Sequence, residues 1–221
     1  MKIFLDTANI VAIKMYNDMG LVDGITTNPS LLAKEGGDPQ KTMEEIVGII
    51  KGDVSLEVIN TEANGMVEEG RRLRRYGNNV VVKCPLTPEG LKACKVLTAE
   101  HIPVNITLCF SVNQAILAAK AGAKYVSPFI GRLDDNGQDG IDLIKEMHQV
   151  FQNYQFTTQI LVASIRHPMH VVDAAKIGAD IVTLPPDVLG KMLKHPLTDI
   201  GLKNFLLDWE KLKKENPSIN I

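Results

Sequence analysis

What the chain lacks narrows it first. Its three cysteines, Cys84, Cys94 and Cys109, are an odd number with no C-x-x-C pair and no zinc-ligand spacing, which argues against a disulfide framework or a structural zinc site. Free thiols in a reducing cytoplasm are the expectation. No apolar run approaches the roughly 20 residues that a membrane helix needs, and no signal peptide precedes Met1-Lys2-Ile3-Phe4-Leu5-Asp6, so neither a membrane span nor export is expected. An excess of charge of one sign is missing too. With 24 basic and 26 acidic residues the net charge is −2, which leaves no global field to hold nucleic acid or an anionic membrane, so any anion site must be local. The turn after the first predicted strand reads Asp6-Thr7-Ala8-Asn9, without the G-x-G-x-x-G of a dinucleotide-binding sheet.

What is present is ample core material: 221 residues, 45% hydrophobic and 23% charged. Short apolar runs at 2–5, 22–25, 54–59, 79–85, 103–108, 125–130, 159–163 and 181–184 read as strands. Helical patterns follow them, at about 10–16, 40–51 and 63–76, from Thr87-Pro88, at 111–121, up to about Tyr154, at 168–177, and from Pro185-Pro186. A last amphipathic helix, at 199–215, places Leu202, Phe205, Leu206, Trp209 and Leu212 on one stripe. Eight strands alternating with helices, with no linker-like break, predict one domain over 1–221 closed into an α/β (β/α)8 barrel; an open doubly wound sheet is the alternative.

The organising stretch is Asn79-Val80-Val81-Val82-Lys83-Cys84-Pro85. Three valines read as a strand buried on both faces, and the proline ends the ladder. A lysine buried at that end is penalised as an ammonium, which favours the neutral amine that attacks carbonyls to give a Schiff base. Taken alone, Lys83 also fits the end of an edge strand, its ammonium reaching water. Its company argues otherwise. Asp6, Asn28, Asn105, Thr107 and Ser127 fall at or near the C-terminal ends of their strands, the rim where barrel enzymes carry their chemistry, and Glu57 is expected somewhat deeper. Asn105 and Thr107 share a face by strand alternation, as do Ser127 and Phe129. Glu57 and Asp6 can move protons, while Asn28, Asn105 and Ser127 suit hydroxyl recognition. Arg132 and Arg166 each follow a strand and, with Ser164, form a fork for a phosphate; alone, either arginine fits a surface ion pair. His167-x-x-His170 starts a helix without a carboxylate pattern and is not read as a metal site. Arg71, Arg72, Arg74 and Arg75 with Glu68 and Glu69 read as a solvated helix face.

On the motifs Phe4-Leu5-Asp6-Thr7-Ala8, Gly24-Ile25-Thr26-Thr27-Asn28-Pro29-Ser30, Val81-Val82-Lys83-Cys84-Pro85, Asn105-Ile106-Thr107-Leu108, Ser127-Pro128-Phe129-Ile130-Gly131-Arg132 and Ala163-Ser164-Ile165-Arg166, the chain resembles the transaldolase family in its short single-barrel form, which also includes the fructose-6-phosphate aldolases. The resemblance implies Lys83 as the Schiff-base lysine, Asp6 as acid/base at the donor's C4 hydroxyl, and Glu57 with Thr107 holding a proton-relaying water. It implies Asn28, Asn105 and Ser127 as the grip on the dihydroxyacetone unit, and Arg132, Ser164 and Arg166 as the phosphate clamp. It further implies sugar phosphate substrates of the pentose phosphate pathway, no metal or organic cofactor, a cytoplasmic place, and a homo-oligomer, decameric, in which the last helix lies on a neighbour. Family members with aldolase activity tend to carry Gln at the Glu57 position and Tyr at the Phe129 position, so Glu57 and Phe129 imply a transferase here. A barrel that merely binds sugar phosphates is the remote alternative, and it leaves unexplained an amine beside two carboxylates.

Overall fold

The structure is a computed structural model that describes residues 1–219. Eight parallel strands close in sequence order: β1 (Lys2–Asp6), β2 (Gly24–Thr26), β3 (Asp53–Glu57), β4 (Val80–Pro85), β5 (Val104–Cys109), β6 (Tyr125–Pro128), β7 (Gln159–Val162) and β8 (Ile181–Leu184), with β8 pairing back onto β1. The predicted barrel is therefore found, and the open sheet is not. Around it run α1 (Ile10–Asp18), α2 (Pro29–Glu35), α3 (Pro39–Ile49), α4 (Ala63–Arg74), α5 (Pro88–Ala99), α6 (Val112–Lys120), α7 (Ile130–Asp134), α8 (Gly140–Asn153), α9 (Pro168–Ile177), α10 (Pro186–Leu193) and α11 (Pro196–Glu215). Among the described residues no helix is long and apolar enough to cross a membrane.

Strand alternation sorts the core into two layers. Leu5, Ile25, Val54, Leu56, Val80, Val82 and Ile106 point outward and pack beneath the helices. Phe4, Val81, Tyr125, Leu161 and Ile181 point inward and plug the lower barrel, with the Phe4 and Tyr125 rings edge to face at 6.1 Å. A side chain on Gly24 would meet the Phe4 ring and the Asp53 carbonyl at 2.6 Å, so only glycine fits opposite that plug. The same alternation, carried two residues further, turns Asp6, Lys83, Thr107 and Ser127 into the barrel mouth. The apolar plug thus makes the floor of a polar cup.

Three details depart from the sequence reading. An extra helix, α2, begins directly after β2; its cap is Asn28, whose Oδ1 accepts from the Leu31 N–H at 3.0 Å, and Ser30 lies inside it. Pro29 both ends the strand and takes the first helical position, where a missing N–H is harmless. The loop after β6 contains the short helix α7, which carries Arg132. Glu57 closes β3 instead of lying within a longer strand, and it pairs in register with Lys83.

Candidate active site

The cup at the C-terminal ends of the strands holds a cavity of about 200 Å³ lined by Asp6, Thr26, Asn28, Lys83, Thr107, Ser127, Phe129, Arg132, Ala163, Ser164, Ile165, Arg166, Thr183 and Pro185. Lys83 is nearly enclosed. Its ammonium donates to the Thr27 carbonyl oxygen at 3.0 Å and lies 2.9 Å from Glu57 Oε2. The apolar surroundings expected of the amine are therefore tempered by a carboxylate, and that spacing is set by the backbone, since the two residues are register partners on adjacent strands. Glu57 is half-buried and approaches Lys83 from the side of α2 and α4.

Asp6 reaches the same cavity from β1. Its Oδ1 accepts from Thr26 Oγ1 at 2.7 Å, and Thr26 Oγ1 is 2.6 Å from Thr183 Oγ1. Burial pushes the Asp6 carboxyl above the ordinary carboxylate range; the Lys83 charge, the Thr26 hydrogen bond and Lys34 pull the other way without cancelling it. The site therefore has two unlike carboxyls, one paired with the amine and one whose affinity for a proton is raised by burial.

Thr107 Oγ1 is a buried side-chain polar atom with no partner among the described residues, although it lines the cavity. A buried hydroxyl left unpaired is costly, so it marks a place where a water or a substrate hydroxyl would be held. Asn105 sits one layer behind: fully buried, it donates to Ser55 Oγ at 3.2 Å and accepts from Ser127 Oγ at 2.8 Å, and it does not line the cavity. Asn28, having spent its oxygen on the α2 cap, keeps its amide N–H groups for the cavity.

On the opposite wall, β6 and β7 bring the basic groups. Arg132 lies over the Phe129 ring at 4.8 Å, and that ring packs against Phe110 at 5.9 Å. Ser164 is held at φ 61, a left-handed conformation uncommon for serine, and its carbonyl oxygen accepts from the Gly131 N–H at 3.1 Å. Arg166 is ion-paired with Asp135 at 2.7 Å. The structure thus gathers every expected site residue at one rim, with Glu57 at its flank and Asn105 behind it.

Sequence reasoning missed Thr26 and Thr183, which share the inward parity of Asp6 and could have been found by extending the alternation rule to β2 and β8. It also missed Asp135, for which no local signal exists. The His167 and His170 rings lie 3.8 Å apart, tilted by 45°, and among the described residues no group of three or more His, Cys, Asp or Glu side chains is placed to hold a metal.

Comparison with known proteins places this arrangement. The chain is 71% identical to a protein of Nitrosopumilus maritimus described as a probable transaldolase, with both chains covered in full. Proteins of the same description from Methanococcus maripaludis and Aquifex aeolicus are 59% and 55% identical, covering 95% and 97% of this chain and 98% and 99% of theirs. The profile of the family described as transaldolase/fructose-6-phosphate aldolase matches residues 3–216, nearly the whole barrel together with its last helix. A buried lysine paired across a strand register, a second carboxyl of raised affinity for its proton and a basic outer wall are thus set in a chain that belongs to the transaldolase/fructose-6-phosphate aldolase family.

Proposed function

We propose that the protein is a transaldolase that moves a dihydroxyacetone unit from a ketose phosphate, such as fructose 6-phosphate or sedoheptulose 7-phosphate, to an aldose phosphate such as erythrose 4-phosphate or glyceraldehyde 3-phosphate. The observation that carries this reading is the enclosed Lys83 ammonium 2.9 Å from Glu57 in a cavity shared with Asp6, whose buried carboxyl has a raised affinity for a proton. Lys83, having passed a proton to Glu57, attacks the ketose C2 carbonyl; the carbinolamine loses its hydroxyl as water and becomes an iminium. A water held by Glu57 and the otherwise unpartnered Thr107 hydroxyl relays those protons. Asp6 as carboxylate takes the C4 hydroxyl proton, the C3–C4 bond breaks, and its electrons move into the iminium to leave an enamine on Lys83. The enamine carbon then attacks the acceptor aldehyde, whose oxygen takes the proton back from Asp6, and hydrolysis frees the new ketose.

Asn28 and Ser127 hold the donor hydroxyls, with Asn105 orienting Ser127, while Arg132, Ser164 and Arg166 hold the phosphate. Phe129 and Glu57 favour transfer over release of free dihydroxyacetone, because an apolar ring at the rim gives the enamine no proton donor. The family also contains aldolases, and fructose 6-phosphate cleavage without an acceptor is the competing reading. Borohydride added with fructose 6-phosphate should fix a dihydroxyacetone unit on Lys83 by peptide mapping. An adduct on another lysine, or normal turnover by Lys83→Ala, would overturn the reading.

The same reading includes one domain and a homo-oligomer, with a decamer as the expected size. Its support is α11, none of whose residues is buried: Leu202, Phe205, Leu206 and Leu212 are exposed on this 20-residue helix. Removing residues 199–221 should lower the particle mass in light scattering; an unchanged mass would dispose of the idea. A cytoplasmic place is part of the reading, supported by three unpaired cysteines.

A further inference from the structure

His170 was set aside by the sequence as a metal ligand, and the chemistry above leaves it unused. It is nonetheless buried at the start of α9, with both ring nitrogens engaged. Nδ1 accepts from the backbone N–H of Arg166 at 3.3 Å, and Nε2 lies 3.1 Å from Asp134 Oδ2. Asp134 in turn accepts at Oδ1 from the Gly140 N–H at 2.9 Å, where α8 begins. The two contacts define one tautomer: a neutral ring whose Nε2–H donates to Asp134 and whose Nδ1 lone pair receives Arg166.

We propose that His170 is a positioning residue for anion binding, fixing the Arg166 backbone against α7 so that the guanidinium reaches the same point over the cavity as Arg132. The proposal rests on Arg166 binding the substrate phosphate. The backbone before Arg166 is tied to α7 as far as Ser164: that residue is in a left-handed conformation, and the loop is stitched to α7 by Ile130 N–H to Ala163 O and Gly131 N–H to Ser164 O. A side chain on Gly131 would strike the Ser164 carbonyl at 2.1 Å and the Arg166 side chain at 2.8 Å, so the two loops pack without slack. His170 adds the stitch beyond Ser164, at the arginine itself.

The device is sensitive to protonation. A proton on Nδ1 would set two N–H groups facing each other and break the contact with Arg166 while the one with Asp134 strengthens. Burial and the neighbouring His167 hold His170 below the ordinary histidine range, with Arg166 acting the same way and Asp134 and Asp173 opposing. Asp139, which caps α8, Lys145 on α8 and Lys176 on α9 line the same groove.

The test measures KM and kcat with fructose 6-phosphate, and the inhibition constant of inorganic phosphate, for wild type, His170→Leu, His170→Asn and Arg166→Ala between about pH 5 and 8. Leucine removes both contacts, whereas the asparagine oxygen sits near the place of Nδ1, still receives the Arg166 N–H and does not titrate. His170→Leu should raise the phosphate inhibition constant and KM by about 2- to 12-fold at the alkaline end, with kcat within about twofold, and His170→Asn should restore both. On acidification the wild type should lose phosphate affinity more steeply than His170→Asn, the ligand's own ionisation being common to both. Parallel pH profiles, or an unchanged inhibition constant in a folded His170→Leu, would overturn the proposal while a loss in Arg166→Ala left the phosphate reading standing. No loss in Arg166→Ala would remove that reading and this inference with it. Should His170→Leu fail to fold, the comparison of wild type with His170→Asn decides.

Discussion

Arg166→Ala should cost the enzyme affinity for phosphorylated donors, by less than a free arginine would suggest. A charge-assisted hydrogen bond to phosphate contributes about 1.5–3 kcal/mol. Without substrate, however, Arg166 is paired with Asp135 at 2.7 Å, and both side chains are more than half exposed, at 51% and 60%. An ion pair of that exposure contributes about 0–1 kcal/mol, and binding phosphate means giving it up. Taking about 0.5 kcal/mol for the pair leaves about 1–2.5 kcal/mol, so kcat/KM for fructose 6-phosphate should fall about 5- to 70-fold, while an unphosphorylated ketose should be turned over almost as before. Asp135→Asn should act in the opposite sense: it frees Arg166 and should tighten binding about twofold, an effect that fades at high salt. Because Asp135 acts through Arg166, the double variant should match Arg166→Ala alone. A coupled assay with erythrose 4-phosphate as acceptor reads all three. Equal losses for phosphorylated and unphosphorylated donors, or a loss in Asp135→Asn, would refute the assignment.

Phe129→Tyr should raise acceptor-independent cleavage of fructose 6-phosphate and lower transfer, and Glu57→Gln should push the same way by changing the proton relay beside Lys83; the coupled assay with and without acceptor separates the two rates. Wild-type release of dihydroxyacetone as fast as transfer would end the transferase reading. Asp6→Asn should abolish transfer yet stabilise the fold at neutral pH. A carboxyl whose folded affinity for its proton is raised contributes stability below its unfolded pKa and loses it as pH rises through the folded one, so the gain in Tm should be largest at neutral pH and shrink on acidification. A gain that grows toward low pH would contradict this. Burial pushes the Cys84 thiol up to about 12 and those of Cys94 and Cys109 to about 11, so none should react with a thiol reagent at about pH 8 until the protein is unfolded. Rapid labelling of Cys84 in the native enzyme would contradict the packing of β4.

The strands of the barrel were legible because parallel strands covered on both faces read as apolar runs; Val80, Val81 and Val82 are all fully buried. The site was legible for a related reason: a polar residue ending such a run has nowhere to point but the barrel mouth, as Asp6, Lys83 and Ser127 do. What escaped is local or lies between loops. α2 was hidden because Pro29 serves two roles at once, and because Asn28 suits a ligand group and a helix cap equally well. α7 is five residues long and begins beside a glycine, too short for a period to show. The Arg166 to Asp135 pair spans 31 positions between two loops, and the His170 contacts depend on how those loops fold together. Alternation along a strand carries none of that information.

The pairing of β8 with β1 has a consequence for how the enzyme comes into being. Thr26, which donates to the Asp6 carboxyl, and Thr183, which meets the Thr26 hydroxyl, are 157 positions apart, so the burial that raises the Asp6 carboxyl is complete only when the last strand has been synthesised and docked. Until then a nascent chain has open sheet edges at its first and latest strands, and the β8 side of the Asp6 site is uncovered. The final strand is therefore both the seal on the sheet and the step that switches on the chemistry: chains released from the ribosome before Ile181–Leu184 should be inert and prone to strand-edge aggregation, with Lys83 already in its strand.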